Sequence, residues 1–459
     1  MSVPPRPVAP RWKRIALWSA LALLVLVLAG VFAARAAIDA YLRSERFRSF
    51  LAQKAGRTLH AESEIAPLHF DTASLYTDRF AARGNAAAAF SELRIEGIRA
   101  ELSWRRFLEK VWQVDKVEIQ RAQVQFDGPR IEVTGFAPPT EPRAAKSRGS
   151  GWLPNRVEVA TANIRELNLL WKDGGLRGTA WLIQPGDGGW NLDGAGGKIT
   201  HGALPPLEVQ RLKLRYREPS LFVESAEFRQ GANGSVVANG EVNLRERLHL
   251  HASIKNVALT PWLAGDWRMR LRGDASGEID IRSPLPQRGA PEIRGTLTIA
   301  NGLLEALPVL DEIAAFTRTQ QFRRIALSRA SGDFVQAGAR LTVTNLVLES
   351  DRLIRVEGGF AIEGGYIDGT FQVGVTPTSL QWLPGSQTRV FTEARGAYVW
   401  APMRLTGPAE APKEDLSQRL AAAAAGAVID QATGTLRDVT KGAKEAARSA
   451  LDLLLAPPK

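Results

Sequence analysis

The chain contains no cysteine, which excludes disulfides, thiol nucleophiles and cysteine-ligated metals at the outset. That absence is compatible with an oxidising compartment without proving one. Histidine is also scarce, with 5 in 459 residues, and only His249 and His251 lie close together. Their i, i+2 spacing puts both on one face of a strand, which permits a metal. No third ligand or matching carboxylate accompanies them, so they read as a solvated strand face. Familiar catalytic signatures are missing as well, with no G-x-S-x-G, H-E-x-x-H or S-x-x-K in a convincing setting. The stretch Gly194 to Ile199 resembles a phosphate loop only superficially. Leu192 falls where the leading glycine belongs, and Ile199 where a Ser or Thr must bind magnesium, so it reads as a β-turn. No enzyme activity, cofactor or metal is therefore expected.

Nor does the charge pattern suit nucleic acid. The net charge is +11, yet the 59 basic residues are interleaved with 48 acidic ones, and no aromatic-plus-basic stacking signature is present. An anionic lipid surface is the simpler partner for such a chain. Charge is absent altogether from Ile15 to Ala34. Twenty helical residues at about 1.5 Å each span roughly 30 Å, the thickness of a bilayer core. Arg6, Arg11, Lys13 and Arg14 precede the run without an acidic residue, which keeps the N-terminus cytoplasmic. The expectation is a cytoplasmic tail at 1–14, a transmembrane anchor at 15–37 and an exported remainder. A cleaved signal peptide ending near Ala34-Arg35-Ala36 is the alternative, and it also exports everything after residue 37.

What is abundant is alternation. Apolar residues make up 45% of the chain, and 41 glycines with 26 prolines favour many short strands over a helical bundle. Leu248, Leu250, Ala252 and Ile254 alternate with polar neighbours, and the pattern continues from Met269 through Leu271, Ile279 and Ile281. Ile367, Phe371, Val373 and Val375 repeat it. Further strands are expected at Val117–Phe126, Val157–Trp171, Leu207–Tyr216, Val236–Leu244, Ile293–Ile299, Leu341–Leu348 and Leu353–Ile362. Asp173-Gly174-Gly175, Asn239-Gly240 and Glu363-Gly364-Gly365 read as turns between them. One apolar and one wet face per strand is the pattern of an antiparallel sheet covered on one side. Helical spacing is confined to residues 38–55, with Gly56 as the C-terminal cap, to Leu307–Phe316, and to an Ala-rich stretch at 413–459 with Gly434 as a break. The Pro-rich, basic segment 137–151 reads as a linker between a β domain at 38–136 and a longer one at 152–412.

This order of parts resembles the AsmA-like superfamily, which includes the TamB-type proteins. At the N-terminal end the resemblance rests on the anchor, the helix ending in Leu51-Ala-Gln-Lys-Ala-Gly56-Arg-Thr-Leu59, Trp104-Arg-Arg-Phe107-Leu108, and Val114-Asp-Lys-Val117-Glu-Ile119. Over about 290–405 it rests on Gly295-Thr-Leu-Thr-Ile-Ala-Asn-Gly302, Phe322-Arg-Arg-Ile325, Gly332-Asp-Phe334, Gly358-Gly-Phe360 and Ile367-Asp-Gly-Thr-Phe371. The resemblance implies a mainly β fold, a curved antiparallel sheet folded into an apolar trough, anchored in a bacterial inner membrane with its bulk in the periplasm. It also implies phospholipid handling, with acyl chains lying in the trough. An apolar face with few helices to cover it agrees, since each buried CH₂ contributes about 0.8 kcal/mol. The expected lining residues are Leu248, Leu250, Ile254, Met269, Leu271, Ile279, Ile281, Ile367, Phe371, Val373 and Val375. Ordinary two-layer core is the other reading of the same side chains. Two further functions stay open: an assembly factor that holds other envelope proteins at its sheet edges, and an exported glycan hydrolase using carboxylates brought together by folding.

Overall fold

The computed structural model describes residues 44–71, 74–103, 111–128, 156–202, 204–243, 246–263, 265, 267–284, 290–305, 323–351, 353–381 and 385–426. The expected anchor at 15–37, the 137–151 linker, the 307–316 helix and the C-terminal stretch beyond 426 lie outside them. The chain is mainly β and forms two compact units, residues 1–202 and 203–459. Among the described residues no helix is long and apolar enough to cross a membrane.

The first unit opens with helix α1 (Glu45–Leu59), started by Ser44, whose hydroxyl accepts the Phe47 N–H at 3.2 Å. Phe47, Leu51, Ala55 and Leu59 recur every fourth residue and form its apolar stripe. Phe47 is buried with Leu68 and Phe70, while Ala55 and Leu59 pack against Phe80, Ala82 and Phe90. Gly56 does not end this helix. The left-handed residue is His60 (φ 53°), whose N–H bonds to the Gly56 carbonyl. The glycine is needed for space instead, because a Cβ there would lie 2.5 Å from the Ala61 carbonyl oxygen.

Ten strands follow: β1 (Ala61–Ile65), β2 (Leu68–Asp71), β3 (Ser74–Gly84), β4 (Glu92–Ser103), β5 (Val111–Gln125), β6 (Arg156–Val159), β7 (Ala162–Trp171), β8 (Gly174–Gly186), β9 (Gly189–Ala195) and β10 (Lys198–His201). β3 pairs with β1, β2 and β4, and β4 pairs with β5, all antiparallel. The expected antiparallel order then breaks, because β5 pairs in parallel with both β6 and β7. Parallel neighbours need a long crossover, and the connection from 126 to 155, with the 137–151 segment inside it, supplies the length. β8 returns the sheet to antiparallel pairing with β7, β9 and β10. Gly196 and Gly197, both at positive φ, make the β9–β10 turn that superficially resembles a phosphate loop.

Among its described residues the second unit pairs antiparallel throughout. Its strands are β11 (Leu207–Arg217), β12 (Ser220–Gln230), β13 (Gly234–Asn243), β14 (Arg247–Ala258), β15 (Leu271–Pro284), β16 (Glu292–Glu305), β17 (Arg324–Leu327), β18 (Arg329–Ala337), β19 (Arg340–Ser350), β20 (Ile354–Glu363), β21 (Tyr366–Val375), β22 (Glu393–Arg395), β23 (Tyr398–Pro408) and β24 (Lys413–Glu414). Consecutive strands pair from β11 to β16; β16 then pairs with β18 and, over a short stretch, with β17. The order continues β18–β19–β20–β21–β23. Asn239-Gly240 is no turn. It lies inside β13, where Gly240 lets the backbone approach the His249 carbonyl.

A short repeat runs through this unit. Ile254-Lys-Asn256-Val257, Ile299-Ala-Asn301-Gly302 and Val343-Thr-Asn345-Leu346 each place asparagine at φ 50–52° beside a register shift. Among side-chain-bearing residues, asparagine tolerates the left-handed region well, so it serves here as the bulge residue that glycine commonly supplies. The Asn301 amide also donates to Asp274 at 3.0 Å, and the Asn345 amide to Asp333 at 2.7 Å.

Candidate functional site

Strand register decides which side chains share a face. One row runs Ala252–Ile279–Gly295–Phe334–Val343–Phe360–Gly369–Leu405 across β14 to β23. The row beside it joins Leu250, Ile281, Ile293, Leu341, Ile362 and Ile367, interrupted by Gln336. Towards β11 the same face continues through Ala238, Ala226 and Leu212. One face of the second unit is thus apolar across eleven strands.

Aromatic rings level this face by lying over glycines. A Cβ on Gly295 would sit 2.8 Å from the Phe334 ring, and one on Gly369 would sit 2.8 Å from the Phe371 ring. The Phe360 and Phe371 centroids are 6.5 Å apart, within the range of favourable aromatic pairs. Large residues opposite glycine fill the space that two large neighbours would contest.

The opposite face is charged and cross-paired. His251 lies between two carboxylates of β15, Nε2 at 3.0 Å from Glu278 and Nδ1 at 3.3 Å from Asp280, with His249 Nε2 3.8 Å from Asp280. Those carboxylates were not visible in the local sequence of the pair. Among the described residues no group of three or more His, Asp or Glu side chains is arranged to hold a metal. Arg355 bridges Glu349 at 3.3 Å and Glu357 at 2.7 Å, and Arg229 meets Glu208 at 2.7 Å. In the first unit, Arg121 lies between Glu96 at 3.4 Å and Glu166 at 3.1 Å. Hydrogen bonds from Asn168 and then Arg121 hold the Glu166 carboxyl below the ordinary carboxylate range. Burial, reinforced by the hydrogen bond to Glu349, raises the Tyr398 phenol.

Register puts all but one of the expected lining residues on the apolar face. Leu248, Leu250 and Ile254 project from β14, Leu271, Ile279 and Ile281 from β15, and Ile367, Phe371, Val373 and Val375 from β21. Met269 lies before β15 in the one-turn helix Trp267–Arg270, 64% exposed.

Cover divides this face in two. Val373 (2% exposed), Val375 (1%), Ile325, Leu327 and Ile354 form a closed core with Leu380, Val390 and Phe391 from the β21–β22 connection. Leu416, Leu420 and Ala423, on the helical residues 416–426, complete it at helical spacing. Leu380, Val390 and Phe391 carry no strand period, and sequence reading did not assign them to the face, whereas Leu416 and Leu420 belong to the stretch expected to be helical. Leu250, Ile254, Ile279, Ile281 and Leu297 lie outside that cluster and are only half-buried. A cavity of about 610 Å³ opens where β13 to β16 end near Arg247, lined by Glu241, His249, Arg282 and Glu292 together with Leu248. No family model matches this chain, and no curated protein or solved structure matches it either.

Proposed function

We propose that this is a periplasmic protein, anchored in the inner membrane by residues 15–37, that binds phospholipid acyl chains along the open part of its apolar face. Its role on this reading is phospholipid transfer or envelope lipid homeostasis, with the β11–β23 sheet serving as the wall of a trough. The observation that carries the reading is that one apolar face passes from a sealed core around Val373 and Val375 to a part in which Leu250, Ile254, Ile279 and Ile281 are only half-buried. Half-buried apolar side chains in continuous rows leave area that a ligand can still cover. Flexible acyl chains suit a face built of aliphatic rows and flattened aromatic rings, because they need no directional partner and gain with every buried methylene. The charged reverse face keeps such a sheet soluble. The anchor and the exported position rest on the uncharged run and its preceding arginines.

Native mass spectrometry of the full chain, extracted with its lipids from a Gram-negative host, tests this. Phospholipid should accompany the protein and be lost in Leu250→Asp/Ile279→Asp, while far-ultraviolet circular dichroism stays that of the parent. A folded, lipid-free parent would sink the proposal and leave a role in assembling envelope proteins.

A further inference from the structure

The β14–β15 connection differs in kind from the turns at the opposite ends of these strands. Gly338 to Ala339 joins β18 to β19, and Gly364-Gly365 joins β20 to β21. Leu259 to Arg270, in contrast, carries Trp262, Leu263, Trp267 and Met269 together with Arg268 and Arg270. Met269 is 64% exposed, and the two tryptophans and Leu263 are half-buried. The cations are held against this apolar tip. Arg268 Nε donates to the Leu263 carbonyl at 2.6 Å, and the Arg270 guanidinium lies 5.8 Å from the centre of the Trp267 ring. From 259 to 272 there are three arginines and a single acidic residue, Asp266.

An exposed Met beside two half-buried Trp, rimmed by arginine, matches the layered chemistry of a bilayer surface. Indole rings favour the headgroup level, thioether and ring carbons favour the acyl boundary, and guanidinium binds phosphate with paired donors. An acidic protein partner would satisfy the arginines but leave the apolar side chains unmatched. A purely apolar partner would strand the arginines. We infer that the β14–β15 connection docks on an anionic bilayer surface, with Met269 and the indoles entering the interface and Arg268 and Arg270 meeting lipid phosphates. Each basic residue near such a surface contributes about 1 kcal/mol of attraction, which fades with salt. This docking goes beyond acyl-chain binding on the sheet, since it stands on the connection alone and holds whether the apolar face is filled or empty.

The chain has no native cysteine, so a single probe can be placed cleanly. Met269→Cys, labelled with an environment-sensitive fluorophore in the full chain, is reconstituted into proteoliposomes. Brominated quencher lipid is supplied first in the host bilayer and then in added vesicles, each made with and without phosphatidylglycerol. Tyr366→Cys, equally exposed but at the opposite strand end, is labelled alongside. The expected result is a blue shift and strong quenching at 269 in one of the two anionic settings and none at 366. Arg268→Glu should weaken the signal without changing lipid retention in native mass spectrometry. Water-like emission at 269 in every setting, or equal quenching at both positions, overturns the proposal.

Discussion

Two regions of one apolar face behave differently although their side chains are of the same kind. Around Val373 and Val375 the face is sealed by Leu380, Phe391, Leu416 and Leu420. Around Leu250 and Ile279 the same face continues half-buried, outside that core. Alternation alone creates an apolar face, but only a second layer makes it a core. The covered part has the cover a stable domain requires. The other part lies outside that sealed core, and our functional reading rests on that contrast.

The contrast can be broken most forcefully in the covered part. Leu416→Ala removes a side chain with 0% exposure and is expected to cost about 2–5 kcal/mol, read as a lowered midpoint in urea denaturation. At the boundary, Gly295→Val drives its side chain towards both the Phe334 ring and the Glu278 carbonyl oxygen, 2.5 Å from where a Cβ would lie. A loss of about 1–3 kcal/mol by the same assay is expected. The bulges come next. Asn345→Ala should cost about 1–2 kcal/mol through left-handed strain and the lost bond to Asp333. Asn345→Gly should recover the conformational part and lose only the hydrogen bond. In the open part, Leu250→Ala should cost about 1 kcal/mol or less because half-buried methylenes gain less from folding, while lipid retention falls visibly.

The smallest effect concerns pH. Glu166 has a lowered pKa in the folded chain, so its contribution is present above the unfolded value, roughly 4. It disappears as pH falls through the folded value. Glu166→Gln should therefore lower stability slightly at neutral pH, leave it unchanged below the folded value and so flatten the acid limb. The effect is small because the side chain is 39% exposed.

Much of the fold was legible because period-two alternation reports directly on a sheet with one wet face. The runs around Leu250, Leu271 to Ile281 and Ile367 to Val375 all became strands with those residues on one face. What escaped reading depends on pairing between distant segments. Nothing in β5 or β7 announces a parallel partner, and nothing around His251 announces Glu278 and Asp280 on the next strand. Gly56 and Gly240 illustrate a second limit. Local rules assign glycine to caps and turns, whereas here the folded neighbours need its missing side chain. The repeated Ile/Val-x-Asn was readable in principle, as three asparagines at matching positions of strong strands. The cover over Val373 was harder, because Leu380, Val390 and Phe391 follow no period.

The most direct test of the account uses the alternation itself. A photoreactive benzophenone amino acid is placed at Leu250, His249, Ile279 or Glu278 in the full chain, irradiated in Gram-negative cells, and analysed for phospholipid adducts. The account predicts adducts at Leu250 and Ile279 and none at His249 and Glu278. Adducts on both faces alike, or on neither, would contradict it.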